Sequence, residues 1–201
     1  MKIGVIDYGS GNIGSVQNAI KMLGHDVLLS SEFKQLESCS HLILPGVGSF
    51  NSAKKKLEGV LSDSQITDLA MNSRGFLGIC VGMQLLCESG NENEVTPGYG
   101  FFAGQVGLIP DSKILPHMGW NNLEQIRVAN PLLAGITEED DFYFVHSYCL
   151  VGAKDSQVIS SVSYGAAFPA IVQSENIYGV QFHPEKSSSA GRKLLANFLQ
   201  L

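Results

Sequence analysis

Three residues carry the chemistry this sequence offers most plainly: Cys80, His183 and Glu185. Cys80 stands in Gly78-Ile79-Cys80-Val81-Gly82, where an apolar run at 76–79 suited to a buried strand gives way at 81–87 to residues suited to a helix. A cysteine framed by glycines at a strand-to-helix turn has the form of a nucleophile elbow, because only glycine leaves room for so sharp a turn beside a neighbouring chain. Such a turn pushes the sulfur into a cleft, and the helix N-terminus behind it favours the thiolate, which is the attacking species. The plainer alternative is a small buried hydrophobe, the commonest state of a free cysteine.

His183 and Glu185 flank Pro184, which biases His183 toward an extended backbone. Residues two apart in an extended segment face the same way, about 6.5 to 7 Å between alpha carbons, so Glu185 can reach one ring nitrogen while the other points outward. Alone, the pair reads equally as a surface ion pair before a helix. Beside Cys80 it completes nucleophile, base and orienting carboxylate, a Cys-His-Glu form of the triad logic. Gln84, one helical turn past Cys80 on the same face, brings an amide within reach of a substrate.

The elements that must position these residues follow from periodicity. Strand-like stretches at 3–8, 26–30, 41–44 and 76–79 alternate with helical ones at 15–23, 51–57 and 64–72, the pattern of a parallel sheet covered by helices on both faces. Sites in such sheets lie at the carboxyl ends of the strands. Pro45-Gly46-Val47-Gly48 sits at one such end and Cys80 at another, so the two loops should share a rim. There the backbone N–H groups of Gly46, Val47 and Gly48, with that of Val81, could face a developing oxyanion; a plain turn would explain the glycines as well. Residues 91–98 read as a polar loop, and 100–110 and 113–116 as antiparallel strands and turns. The segment 116–121, Pro-His-Met-Gly-Trp-Asn, reads as a surface turn with apolar anchors. Strands follow at 141–148, 158–164, 170–173 and 177–182, with His146 taken as a hydrogen-bonded strand histidine, and a closing helix at 189–199. The fold class expected is α/β, a central mixed and mostly parallel sheet flanked by helices with a smaller antiparallel sheet region, in one domain spanning 1–201.

Composition narrows the function. The 201 residues are 44% hydrophobic and 16% charged, with 13 basic residues and a net charge of -6, which argues against a nucleic-acid or anionic-membrane surface. No apolar run approaches the roughly 18 residues of a membrane span, and Lys2 leads straight into a strand rather than a signal-peptide core, so the expected location is cytoplasmic. Cys39, Cys80, Cys87 and Cys149 lack paired spacing, and no set of His, Asp and Glu has metal-ligand spacing, so neither a disulfide framework nor a metal or other cofactor is expected. Cys87 reads as packing. One rival signal remains: Gly9-x-Gly11-x-x-Gly14 after the first strand, with Glu32 placed to hold a ribose, matches a dinucleotide fingerprint.

Asp7-Tyr8-Gly9 with Gly11-Asn12, Pro45-Gly46-Val47-Gly48-Ser49-Phe50, Gly78 to Leu86, Pro116-His117-Met118-Gly119-Trp120-Asn121 and Gln181-Phe182-His183-Pro184-Glu185-Lys186-Ser187 together resemble a class I glutamine amidotransferase. Within that class the match is to the glutaminase subunits of imidazole glycerol phosphate synthases. The resemblance spans nearly the whole chain and absorbs the glycine fingerprint. It implies that Cys80 attacks the side-chain amide of glutamine, that Gly46, Val47, Gly48 and Val81 form the oxyanion hole, and that His183 held by Glu185 moves the protons. It further implies that Gln84, the Ser147-Tyr148 backbone and Glu92 hold the glutamine head group. The partner it implies is a (β/α)-barrel cyclase subunit, in a heterodimer that passes ammonia onward for histidine biosynthesis, with Asn12, Met118, Trp120 and Lys186 at or near the interface. The oxyanion loop would form fully only with the liganded partner, leaving the lone chain a weak glutaminase. Val81 stands where leucine is commoner, and Cys87 and Cys149 where larger residues are usual.

Three alternatives stay open on these residues: the same glutaminase feeding a synthase that amidates a nucleotide-sugar or polysaccharide precursor, a cysteine hydrolase of a free small substrate, and a noncatalytic binding subunit.

Overall fold

A computed structural model describes residues 1–9, 12–112, 114–127 and 129–201. In chain order the strands are β1 (Ile3–Ile6), β2 (Val27–Ser30), β3 (His41–Leu44), β4 (Gly75–Ile79), β5 (Cys87–Asn91), β6 (Val95–Pro97), β7 (Phe102–Leu108), β8 (His117–Asn122), β9 (Asp141–His146), β10 (Tyr148–Val151), β11 (Val158–Tyr164), β12 (Ala166–Ser174) and β13 (Ile177–Val180). The α-helices are α1 (Ile13–Met22), α2 (Phe33–Leu36), α3 (Phe50–Glu58), α4 (Asp63–Asn72), α5 (Val81–Leu85) and α6 (Ser188–Phe198).

Every residue of β1, β3, β4 and β13 is buried. Strands closed off on both faces need helices on both, and the helices supply matching stripes: α1 turns Val16, Ala19 and Ile20 inward, and α6 turns Ala190, Leu194, Leu195 and Phe198. The seven-stranded sheet runs β11-β12-β13-β4-β3-β1-β2, parallel from β13 to β2 and antiparallel at the β11-β12-β13 edge. A four-stranded sheet, β10-β7-β5-β6, and a β8-β9 ribbon complete the fold. The smaller sheet is antiparallel at β10-β7 and β5-β6, while β5 and β7 run parallel.

For the site the decisive fact is the neighbourhood β13-β4-β3. Val180 pairs with Ile79, and Leu44 pairs with Gly78, so three adjacent parallel strands end level with one another. The loops leaving them begin at Pro45, Cys80 and Gln181.

Several elements differ from the periodicity reading. The helix after Cys80 stops at Leu85, and Cys87 opens β5 instead. Residues 91–98 are not a bare loop, since β6 folds back antiparallel on β5. The segment expected as a surface turn is a regular strand, because all six residues of β8 register against β9, a partner about 20 to 30 residues along the chain that local pattern cannot reveal. Glu185 lies in a 3₁₀ turn, Pro184–Lys186, not in an extended segment. The readings at Ser10, Gly11 and Lys113 fall outside the described residues.

Candidate active site

The elbow at Cys80 is built by close approach. A Cβ on Gly82 would stand 1.9 Å from the Leu44 carbonyl oxygen, one on Gly46 would stand 2.3 Å from the Gly82 nitrogen, and one on Gly78 would stand 2.7 Å from the Met83 backbone. The loop after β3 therefore rests directly on the first turn of α5. Cys80 itself has φ 54° and ψ -114°, outside the ordinary wells for a side-chain-bearing residue. Such strain costs on the order of 1–3 kcal/mol and persists only where the surroundings over-determine it. They do so here: the Cys80 N–H donates to the Val180 carbonyl at 2.8 Å and the Gln84 N–H to the Cys80 carbonyl at 3.0 Å.

His183 is held from behind. Its N–H donates to Tyr143 of β9 at 2.9 Å, and its carbonyl accepts from the Ser187 hydroxyl at 2.6 Å. Gly191 of α6 fits beneath, where a Cβ would come 1.9 Å from the Pro184 carbonyl oxygen. The imidazole Nδ1 lies 2.8 Å from Glu185 Oε1, with both side chains almost wholly buried, so this is no surface ion pair. Nδ1 faces an acceptor and is the protonated nitrogen, which leaves Nε2, buried and without a hydrogen-bond partner, for the cleft. Burial opposes the imidazolium, yet Cys80 and Glu185 together outweigh it and push the His183 pKa up to about 10. Asn12 Nδ2 donates to the same Glu185 Oε1. Asn12 holds a left-handed φ of 75° at the head of α1, and its side chain serves Glu185 rather than its own helix.

A cavity of about 330 Å³ opens over these groups, lined by Val47, Gly48, Cys80, Val81, Gln84, Glu92, Ser147, Tyr148, His183 and Lys186 among others. Ten of the residues singled out from sequence thus face one hollow, with Gly46 packed against its floor and Glu185 behind His183. Met118 and Trp120 lie outside it on exposed β8, 65% and 52% accessible. Trp120 meets Tyr143 edge-on at 5.8 Å, and Lys186 Nζ lies 5.8 Å from the same ring, so the exposed apolar face runs up to the rim of the cavity. A larger hollow of about 490 Å³ beside Arg127 and Phe168 is lined by Ser161 and Asp155 but by no cysteine or histidine. Among the described residues no cluster suits a metal ion.

Two head-group expectations need refinement. The Tyr148 carbonyl already accepts from His146 Nδ1 at 2.9 Å and from Gln84 Nε2 at 2.9 Å, and the Ser147 carbonyl from the Ile109 N–H at 3.0 Å. The Tyr148 carbonyl therefore has both lone pairs engaged by the protein, and that of Ser147 one. Glu92 reaches the cavity with one carboxylate oxygen engaged, Oε2 accepting the Phe50 N–H at 2.7 Å and so pinning the start of α3 just after the glycine loop.

Sequence reasoning passed over Gln181. Its side chain is fully buried, accepting from Gln84 Nε2 at 3.1 Å and donating through Nε2 toward Cys80 Sγ at 3.8 Å. The signal available was a polar amide directly after an apolar strand.

This arrangement can perform acyl transfer: a strained cysteine at a helix N-terminus, an imidazole oriented by a buried carboxylate, and a glycine loop against the same turn. The family model for class-I glutamine amidotransferase matches residues 4–201. The chain is 38% identical over 202 residues to imidazole glycerol phosphate synthase subunit HisH 1 of Methanococcus maripaludis, covering 99% of each. It is 44% identical to the HisH subunit of Desulfitobacterium hafniense, covering 98% of this chain and 92% of that one, and 42% identical to that of Methanothermobacter thermautotrophicus, covering 99% and 98%. Among solved structures, one described as a glutamine amidotransferase superposes with a TM-score of 0.77 over 100% of this chain and 98% of its own at 18% identity, and PurLQS from Thermotoga maritima with 0.75 over 99% and 97% at 19%. The last two bear on the fold; the matches over the full length decide the lineage. The chain belongs to the class-I glutamine amidotransferases, within the family of HisH subunits of imidazole glycerol phosphate synthase.

Proposed function

We propose that residues 1–201 act as one glutaminase domain that hydrolyses glutamine to glutamate and ammonia and delivers the ammonia to the cyclase subunit of imidazole glycerol phosphate synthase in histidine biosynthesis. Cys80 Sγ attacks the side-chain carbonyl carbon of glutamine, and the oxyanion forms toward the backbone N–H groups of the Gly46–Gly48 loop and Val81. His183 gives its Nε2 proton to the departing nitrogen; the C–N bond breaks, ammonia leaves, and a glutamyl thioester remains on Cys80. The imidazole then takes a proton from water as its oxygen attacks the thioester, and glutamate is released with Cys80 restored. Glu185 keeps Nδ1 protonated and the ring aimed throughout.

Glu92 supplies the negative charge for the substrate's amino group. The N–H of Tyr148 and Oε1 of Gln84 supply the neutral contacts, since the donor hydrogens of Gln84 are spent on Tyr148 and Gln181. Asn12, Met118, Trp120 and Lys186 form the partner face beside the cavity. No helix among the described residues is long and apolar enough to cross a membrane, which suits a subunit working in the cytoplasm.

The observation that carries this reading is the buried His183–Glu185 pair, facing Cys80 across one cavity at the ends of adjacent strands. The test is glutamate release from glutamine by the chain alone and with the cyclase plus that subunit's ligand. Turnover that rises with the liganded partner and vanishes in Cys80→Ala supports the reading. Turnover unaffected by Cys80→Ala, or none with the partner, overturns it.

A further inference from the structure

His117 and His146 are buried, adjacent and unused by the chemistry above. His117 Nδ1 lies 3.1 Å from His146 Nε2, and the His117 ring is stacked between Phe144 at 4.7 Å and Tyr164 at 4.1 Å. Burial lowers the pKa of each to about 4, and the Tyr148 carbonyl only partly offsets it at His146, so both rings are neutral at pH 7. A neutral imidazole has one donor and one acceptor nitrogen, which makes the proton positions deducible.

The deduction starts at the Tyr148 carbonyl, which can only accept. His146 Nδ1, 2.9 Å away, must therefore carry the proton, and His146 Nε2 must accept. His117 Nδ1 is then a donor and His117 Nε2 an acceptor. The atom facing His117 Nε2 is Asn121 Nδ2 at 3.4 Å, a donor fixed as nitrogen by its second contact, the Ser163 carbonyl at 3.1 Å. Asn121 Oδ1 meanwhile accepts the Asn122 N–H at 2.9 Å. No link conflicts with its neighbours. Beyond Tyr148 the same carbonyl accepts Gln84 Nε2, whose other hydrogen goes to Gln181 Oε1, and Gln181 Nε2 donates toward Cys80 Sγ.

We propose that His117, His146 and Gln181 are positioning residues of the glutaminase site, joined in one hydrogen-bonded chain from Asn121 on the exposed strand β8 to the sulfur of Cys80. Through the Tyr148 carbonyl the histidine pair fixes the amide of Gln84, and with it the acceptor offered to glutamine. Through Gln181 the chain places an N–H on the sulfur, which favours the thiolate. The two ends act on different quantities: the histidine end on substrate binding, the Gln181 end on thiol ionisation. This inference rests on Cys80 being the glutaminase nucleophile.

The test has three parts. Long-range ¹H–¹⁵N spectra of the ¹⁵N-histidine-labelled chain at pH 7 should show His117 and His146 both protonated at Nδ1, the less common tautomer; an Nε2–H form of either overturns the chain's polarity. This measurement needs no variant. Alkylation of Cys80 by iodoacetamide against pH should shift its midpoint upward by roughly half a unit to one unit in Gln181→Met, the loss of about one hydrogen bond to the charged form. An unmoved midpoint in a folded variant overturns that end. In the complex with the cyclase, His117→Phe should raise the KM for glutamine about fivefold with a smaller change in kcat, and His117→Asn, whose Nδ2 replaces the Nδ1 donor, should restore it; a purely structural role predicts no such split or rescue. If the wild-type complex shows no glutaminase activity the functional reading fails, while the spectra and the alkylation profile still judge the chain.

Discussion

Gly82→Ala asks whether the glycine loop must touch the elbow for the site to work. The added Cβ would stand 1.9 Å from the Leu44 carbonyl oxygen and 3.2 Å from the Pro45 carbonyl carbon, both backbone atoms that cannot rotate aside. Ordinary contact begins near 3.4 Å, so the loop after β3 and the first turn of α5 must separate by more than 1 Å. Overpacking of this kind costs about 1–3 kcal/mol, which in a domain of this size lowers Tm by roughly 2–12 °C. The catalytic effect should be larger in proportion, because misplacement by about 1 Å can cost about 100-fold in rate. Glutaminase turnover with the liganded cyclase should therefore fall about 100-fold or more in a protein that still melts cooperatively. Gly46→Ala, whose Cβ would meet the Gly82 nitrogen at 2.3 Å, disturbs the same contact from the other side. The double variant should then be little worse than the poorer single one. Gly14→Ala is the control, since that glycine is helical, exposed and has nothing within 4 Å of an added Cβ; a slight gain in Tm is expected. Retention of turnover within threefold by Gly82→Ala would refute the requirement for close approach, as would simple additivity of the two single effects.

Glu185→Gln keeps the size of the carboxylate but removes the charge and the certainty of an acceptor at His183 Nδ1, so kcat should fall by roughly 100-fold to 10,000-fold with KM little altered; steady-state kinetics of the complex decide this. Glu92→Gln should raise the KM for glutamine more than about tenfold, the range for a hydrogen bond to a charged group, and should lower kcat as well if loosening the Phe50 N–H contact frees the glycine loop. Stability should peak near neutrality. His183, raised to about 10 when folded against about 6.5 unfolded, contributes stability that is complete below pH 6.5 and lost as pH rises toward 10. His117 and His146, lowered to about 4, contribute stability that is complete above pH 6.5 and lost as pH falls toward 4. Thermal melts across pH 4–10 should show both limbs, with the acid limb shallower in His117→Phe and the alkaline limb shallower in His183→Ala.

Local pattern was informative wherever local physics decides the outcome. Strands closed on both faces announce themselves as apolar runs, and β3 occupies 41–44 as expected because Pro45 and Gly46 end it. The elbow was legible because its glycines are demanded by contacts within a few residues and with one neighbouring strand. Pattern was uninformative where distant pairing decides. Nothing local marks β8 as a strand, since its order comes from registering against β9, and Glu185 reaches His183 through a 3₁₀ turn whose shape depends on α6 packing beneath it. Gln181 was given no role, and His146 was read as a hydrogen-bonded strand histidine without its partners, for a related reason. A polar residue in a strand or just beyond one is silent about its partners, and these partners come from α5, β8 and β10.

The placement of Cys80, His183 and Glu185 follows from strand order more than from any single interaction. Cys80 and His183 are 103 positions apart, yet each follows the last residue of its strand by no more than three positions, and the two strands are hydrogen-bonded neighbours in register. Helix α6 then closes on the turn holding Glu185, while β9 fixes the backbone of His183 and turns Phe142 and Phe144 onto Phe182. The same strand β9 carries Tyr143 outward to Trp120 and Lys186 and is registered along its whole length with β8. A protein seated on the exposed Met118 and Trp120, as proposed, would therefore push on a ribbon whose other strand holds His183 by its backbone and whose buried histidines reach the Tyr148 side of the cavity. The proposed activation by a partner would then require no long-range unfolding, only a small shift of one two-stranded ribbon against the carboxyl ends of β13, β4 and β3.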